Sequence, residues 1–221
     1  MDLSCEEVRD ELLLHRRVER ICYRRWQVVY SERTALDRIY YIESGLVKLA
    51  RLSAFGEEVV LVVAKAGEIC GLEALVADGR ADSTATMLMD GVLFTIPAEM
   101  FASFCENHSA VWRLWSETET RRREWMERRL EILTFPHVEQ RLQAILLELA
   151  QVFSDSGGNG DPAEITLKQK EVGSLIRASR ETVSTALNHF AREGLVHLRR
   201  GLITIPCLAT LAGTEVEIHR R

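Results

Sequence analysis

Polar and apolar positions divide the chain into regions of different texture. Over the first twenty residues Val8, Leu12, Leu13 and Val18 fall at helical intervals among polar neighbours, which predicts a short amphipathic helix. From Trp26 to Ile96 short β-rich runs take over: Gln27–Tyr30, Ile39–Glu43, Leu46–Leu52, Glu58–Val63, Ala85–Leu88 and Val92–Ile96. The turn formers Ser44-Gly45, Phe55-Gly56, Ala66-Gly67 and Asp90-Gly91 punctuate them, and strands at this spacing predict an antiparallel barrel or roll.

After Pro97 the helical period returns, first over Ala98–Phe104 and then over about Ser109–Leu133, a stretch with neither Gly nor Pro. Trp112, Trp115, Trp125, Met126, Leu130 and Leu133 recur there at three- and four-residue steps. Such a stripe either packs on the roll or forms a seam with a second copy of the chain. The helix is longer than the roll should cover and Trp is enriched at interfaces, so the seam reading takes Val111, Trp112, Trp115, Thr118, Arg122, Trp125 and Met126 as its contacts, polar at the middle. Pro136 is expected to end or kink the helix and mark a hinge. Val138, Leu142, Ile145, Leu146, Leu149 and Ala150 predict one further amphipathic helix, and Ser154–Pro162 an exposed loop.

The last third carries the strongest local signal. Thr166-Leu167-Lys168-Gln169 reads as a capping box opening a short helix through Ile176, with Val172, Leu175 and Ile176 inward. Arg177-Ala178 makes a tight turn, and Ser179 is placed to cap a second helix whose inner face is Val183, Ala186, Leu187 and Phe190. A helix so capped projects Arg180, Glu181, Ser184 and Thr185 outward. Arg grips guanine bidentately and Glu accepts from cytosine N4, which suits a major groove. Gly194–Leu198 and Leu202–Ile205 flank Arg199-Arg200-Gly201, a β-hairpin wing whose arginines reach phosphate. Lys168, Gln169, Ser179, Arg180, Glu181, Thr182, Ser184, Thr185, Arg199 and Arg200 are therefore the candidate contacts to double-stranded DNA. The competing reading is a helical hairpin with an ordinary solvated charge face, used for protein contacts.

A net charge of −5 sits poorly with a polyanionic partner until it is divided along the chain. Residues 165–205 hold seven basic against three acidic side chains, a local +4, and screening makes the local patch the relevant quantity. At 221 residues and 47% hydrophobic composition the chain has material for two cores. No apolar run approaches a membrane span, and Asp2, Glu6 and Glu7 stand where a signal peptide would be basic, so a soluble cytoplasmic protein is expected. The five cysteines form no CxxC pair, the six histidines no HxxxH or HxH pair, and no nucleophile elbow or P-loop is present. Neither a metal site nor an enzyme is predicted.

These residues together resemble the CRP/FNR family of transcription regulators. The resemblance rests on Tyr41–Leu49, on Gly67-Glu68-Ile69 through Gly71, on Val138–Leu142, and most specifically on Ser179-Arg180-Glu181-Thr182-Val183-Ser184. It implies an α+β chain: an antiparallel, cyclic-nucleotide-binding-like β-roll sensing an effector over 1–108, a dimerisation helix and hinge over 109–136, and a winged helix-turn-helix over 137–221. It further implies a homodimer on an inverted-repeat operator, RNA polymerase as a partner, and Arg180 and Glu181 as base readers. Thr185 stands where the cAMP-responsive members carry another Arg, which leaves the half-site open.

The sensing domain departs from the nucleotide-binding pattern. Gly71, Leu72, Glu73, Ser83, Thr84 and Met126 occupy the effector positions, but Leu72 replaces the ribose-holding Glu, Asp82 the phosphate-holding Arg, and Met126-Glu127 the adenine-contacting Thr-Ser pair. Dependence on cAMP is therefore not expected. Cysteine or metal-cofactor control is the alternative: Cys5 and Cys22 lie near the N-terminus without iron–sulfur spacing, and Cys70 lies one residue short of the haem-ligating position of the carbon-monoxide sensors, with Glu73 where those have His. No cofactor is predicted, and an unidentified small organic effector, or none, remains the expectation.

Overall fold

The computed structural model of the chain describes residues 12–76, 78–154 and 162–213. Contacts divide it into two compact units, one of Met1–Arg51 with Val62–Glu124 and one of Leu52–Leu61 with Trp125–Arg221. The sequence-based boundaries at 108/109 and 136/137 set the long helix apart, whereas contacts share it between the units and give the second unit ten residues of β-hairpin.

The N-terminal half holds eight strands, β1 Glu19–Tyr23, β2 Val28–Tyr30, β3 Arg38–Ser44, β4 Leu46–Leu52, β5 Glu58–Lys65, β6 Ile69–Cys70, β7 Thr84–Met87 and β8 Gly91–Pro97, all in the first unit except Leu52 of β4 and Glu58–Leu61 of β5. They form two four-stranded sheets, ordered β1-β8-β3-β6 and β2-β7-β4-β5. The predicted run Leu46–Leu52 is β4 itself, and the other predicted runs lie on β2, β3, β5, β7 and β8 with ends shifted by one or two residues. Gly91 lets the start of β8 approach the end of β3: a Cβ there would stand 2.3 Å from the Ser44 carbonyl oxygen. Ile39, Tyr41, Ile69, Leu72 and Ile96 meet Met100, Phe101 and Cys105 of α1 (Ala98–Asn107) in one buried cluster.

Two strands escaped the periodicity. β1 is an edge strand of mixed charge whose side chains are mostly exposed, the pattern that protects a sheet edge from further pairing and leaves little apolar alternation to read. β6 has only two residues. Of the helix expected over the first twenty residues, Leu12 and Leu13 are helical and Leu12 is buried, the chain leaves the helix before Val18, and Val8 lies outside the described residues.

Helix α2 covers Ser109–Leu133, 25 residues as the missing Gly and Pro foretold, and stops three residues before Pro136. In the second unit α3 (Val138–Ser154) buries Leu142, Ile145, Leu146, Leu149, Ala150 and Phe153. Against it lie α4 (Gln169–Ile176), α5 (Arg180–Arg192), α6 (Leu208–Gly213) and a three-stranded sheet of order β10-β11-β9, from His197–Arg199, Leu202–Ile205 and Ala163–Ile165. β9 was not expected. The Ser154–Pro162 loop falls almost wholly outside the described residues.

Candidate nucleic-acid interface

The helix-turn-helix is held by backbone geometry. Arg177 ends α4 in the left-handed conformation, φ 52°, and the Ala178 N–H returns to the Gly173 carbonyl at 3.0 Å. A Cβ on Gly173 would meet the Ala178 carbonyl oxygen at 2.6 Å, so the tight turn requires glycine at that position. The cap of α4 corrects the sequence reading. It is Lys168, whose backbone N–H donates to the Glu171 carboxylate at 2.7 Å, and not Thr166 paired with Gln169. β9 carries the chain as far as Ile165, so the helix begins later than a Thr166 cap requires.

Ser179 caps α5 as predicted, its hydroxyl accepting from the Thr182 N–H at 3.1 Å. Val183, Ala186, Leu187 and Phe190 are buried beneath it. Arg180, Glu181, Thr182 and Thr185 are exposed, Ser184 half-buried, and the Thr185 hydroxyl donates to the Glu181 carbonyl at 3.0 Å. The Glu181 carboxyl is held below its ordinary pKa, chiefly by its own backbone N–H and then by the Ser179 hydroxyl, so it presents an ionised acceptor. On the wing β10 pairs β11 antiparallel, Gly201 takes φ 71° in the turn, and Arg199 and Arg200 are exposed. Lys168 is exposed and Gln169 half-buried at the start of α4. Lys170 and the turn residue Arg177, exposed beside them, add basic charge; as candidate contacts they were missed, and only the local charge count pointed to them.

The effector positions separate. Gly71, at φ 80°, opens a short 3₁₀ turn over Leu72–Leu75, and Leu72 is buried in the core of the first unit. Ser83 is buried and Thr84 half-buried, whereas Met126 is exposed in the second unit. Asp82 is exposed near Arg51, whose Nε donates to the Asp82 carbonyl at 2.7 Å. Arg122 donates to the Ile69 carbonyl and, at 2.9 Å, to Glu119. The Arg122 Nε and the Thr118 hydroxyl are buried without a hydrogen-bond partner among the described residues.

Cys70 is fully buried, and its thiol is pushed up to about 12, mainly by burial, opposed by Arg122 and reinforced by Glu73. At pH 8 only about one thiol in 10⁴ is then ionised, too few for a ready nucleophile. Iodoacetamide at that pH should label the exposed Cys22 and spare Cys70 in native protein; mass spectrometry finding Cys70 modified first would contradict this assignment. Among the described residues no three His, Cys, Asp or Glu side chains converge as a metal site.

The seven seam candidates do not share one face, which corrects the sequence reading. Val111 and Thr118 are buried, Trp115 packs on the core of the first unit, Arg122 is committed to Ile69, and the Trp125 indole N–H donates to the Leu61 carbonyl at 3.3 Å. Trp112, though its ring stacks on Trp115 at 4.6 Å, and Met126 are left 47% and 49% exposed, as Leu130 is at 66%.

A winged helix-turn-helix with an exposed, capped recognition helix, carried on a β-roll chain, defines a DNA-binding regulator. Comparison agrees: residues 20–108 match the cyclic nucleotide-binding domain and residues 140–213 the Crp-like helix-turn-helix domain. The chain belongs to the CRP/FNR family of transcription regulators. It is 28% identical over 185 residues to a CRP-like cAMP-activated global transcriptional regulator of Mycobacterium tuberculosis, covering 84% of this chain and 83% of the relative. An anaerobic regulatory protein of Aggregatibacter actinomycetemcomitans is 24% identical over 188 residues, 84% and 72% of the two chains. The fold superposes with a TM-score of 0.75 on the c-di-GMP responsive global regulator CLP of Xanthomonas campestris, at 18% identity and covering 90% of this chain and 98% of that one. These relatives are regulators, not enzymes, and no helix among the described residues is long and apolar enough to cross a membrane.

Proposed function

We propose that two copies of the chain bind an inverted-repeat operator in double-stranded DNA, reading base edges with Arg180 and Glu181 and gripping phosphate with Lys168, Arg199 and Arg200. The observation that carries this reading is the exposure of Arg180, Glu181, Thr182 and Thr185 on one helix whose other face is fully buried. Ser179, Gln169 and Ser184 border that surface. The protein acts in the cytoplasm, and its route to transcription is contact with RNA polymerase, as family membership implies.

The seam of the homodimer is the outward line of α2. Trp112, Ser116, Glu119, Arg123, Met126 and Leu130 recur in alternating steps of four and three, the spacing of a two-helix seam, and all are exposed. Apolar residues stand at both ends of the line and polar ones at its middle.

The signal is not cAMP. Relatives named for cAMP, anaerobic and c-di-GMP regulation share this fold, so the fold alone does not choose a ligand. In this chain Leu72 is part of the core and Asp82 brings negative charge where the nucleotide phosphate would need a cation. Isothermal titration with cAMP should give no heat at millimolar ligand; saturable micromolar binding would contradict the reading of the cassette. DNA binding itself is tested by selection from a random duplex pool, which should enrich inverted repeats with half-site centres about 10 base pairs apart. Recovery of unenriched sequence would sink the proposal.

A further inference from the structure

Strand β5 is the outer strand of its sheet, so one side of its backbone has no strand partner among the described residues. Within the second unit that side is taken up by side chains. The Val60 N–H donates to the Ser174 hydroxyl at 3.2 Å and the Val60 carbonyl accepts from Arg129 Nη1 at 2.9 Å; one residue on, where the backbone alternates its direction, the Leu61 carbonyl accepts from the Trp125 indole at 3.3 Å. Arg129 also reaches α4: its Nε donates to the Leu175 carbonyl at 3.0 Å and its Nη2 to the Ser174 carbonyl at 2.9 Å. Both carbonyls belong to the last turn of α4, where a helix has acceptors without intrahelical donors and a partial negative charge that favours a cation. One guanidinium thus joins α2, the edge of β5 and the end of α4.

The end of α4 matters because the DNA-reading helix starts just beyond it. Arg177 and Ala178 form the tight turn, and Arg180 begins the recognition helix, so fixing the end of α4 fixes where the exposed Arg180 and Glu181 stand. The direct covalent path from α2 to the second unit's helical core runs only through Thr134–His137, around Pro136. With the junction released, that segment is free to swing, and only the fraction of molecules with both recognition helices correctly spaced binds the operator.

We propose that Arg129 is a positioning residue for DNA reading, locking the helix-turn-helix to β5 and α2 so that the recognition helix is held ready without touching DNA itself. This rests on the DNA-binding reading, and hydrogen exchange on the free protein tests the lock separately. Arg129→Gln keeps a polar side chain but loses the planar fork, and Arg129→Lys keeps the charge while a single ammonium cannot face three carbonyls in one plane.

In Arg129→Gln the Val60 amide should exchange at least about tenfold faster while Leu187 and Phe190 in α5 keep their protection. Operator affinity, measured by fluorescence polarisation, should fall about tenfold or more with an unchanged salt slope. Lysine should restore less than half of the loss in logarithmic terms. Ser174→Ala should act in the same direction but more weakly, and adding it to Arg129→Gln should cost nothing further if both serve one junction. The proposal is overturned by wild-type affinity in Arg129→Gln, by loss of α5 protection, which would make Arg129 a general fold residue, by a salt slope shallower by one unit, which would make it a phosphate contact, or by fully additive effects. Absence of DNA binding by the wild type, with the exchange pattern as expected, would remove the function and leave the junction standing.

Discussion

Leu130→Glu, alone or with Met126→Glu, should convert the homodimer to monomer at micromolar concentration. Burying a side chain of this size contributes about 1.5–3 kcal/mol, and two-fold symmetry removes it twice, so one substitution weakens the dimer by about 3–6 kcal/mol. That is roughly a hundredfold to ten-thousandfold, to which apposed carboxylates add repulsion. Both residues are exposed in the single chain, so the folded protomer should keep its melting temperature when measured at matched monomer content. Trp125→Glu should behave differently, because its indole holds the Leu61 carbonyl and its loss destabilises the protomer itself. Sedimentation velocity separates the two cases: a Leu130→Glu variant that still sediments as a dimer would displace the seam from the outward line of α2. Operator affinity should fall with the dimer, since a lone winged helix reads too few base pairs.

Arg180→Ala should cost about 1–3 kcal/mol on the selected operator and abolish preference at one G·C pair in each half-site, because a bidentate contact to guanine carries that discrimination. Arg199→Ala and Arg200→Ala on the wing should weaken all sequences alike and make the salt slope shallower by roughly one unit for each lost phosphate contact. Position makes the distinction. Arg180 opens a capped helix beside the ionised Glu181, whereas the wing arginines sit at a hairpin turn. Specificity profiling of the three variants against a pool randomised within the half-site resolves it; identical profiles for all would reduce Arg180 to a phosphate clamp.

Much of this architecture was legible because burial on one face imposes a period. The alternation in β3 and the unbroken Leu46–Ala50 burial in β4 sit in runs that read as strands, and Ser179 announced the recognition helix because a hydroxyl at that spacing has an N–H to cap. Elements without a buried face were silent. β1 is a charged edge, and β9 has three residues. Helix α2 was legible in extent but not in orientation, since it carries two stripes: Val111, Trp115, Thr118 and Trp125 turned toward its own chain, and Trp112, Met126 and Leu130 left outside. Both satisfy helical spacing, and only the packed roll and hairpin decide between them. Arg129 gave no signal at all, because its partners are carbonyls of Val60, Ser174 and Leu175, which any sequence would supply. The proposal that cAMP is not the signal rests on residue chemistry alone, on Leu72 and Asp82 at positions where a nucleotide would need a ribose acceptor and a cation.

The most direct test of sequence-specific reading by a symmetric dimer is one titration series: fluorescence polarisation of the wild-type protein on the selected inverted repeat, on the same duplex with one half-site scrambled, and on a fully scrambled duplex, at physiological salt. The intact repeat should bind as two protomers per duplex, at least about a thousandfold tighter than the scrambled duplex, with the half-scrambled site in between. Equal affinities for all three duplexes would contradict the account.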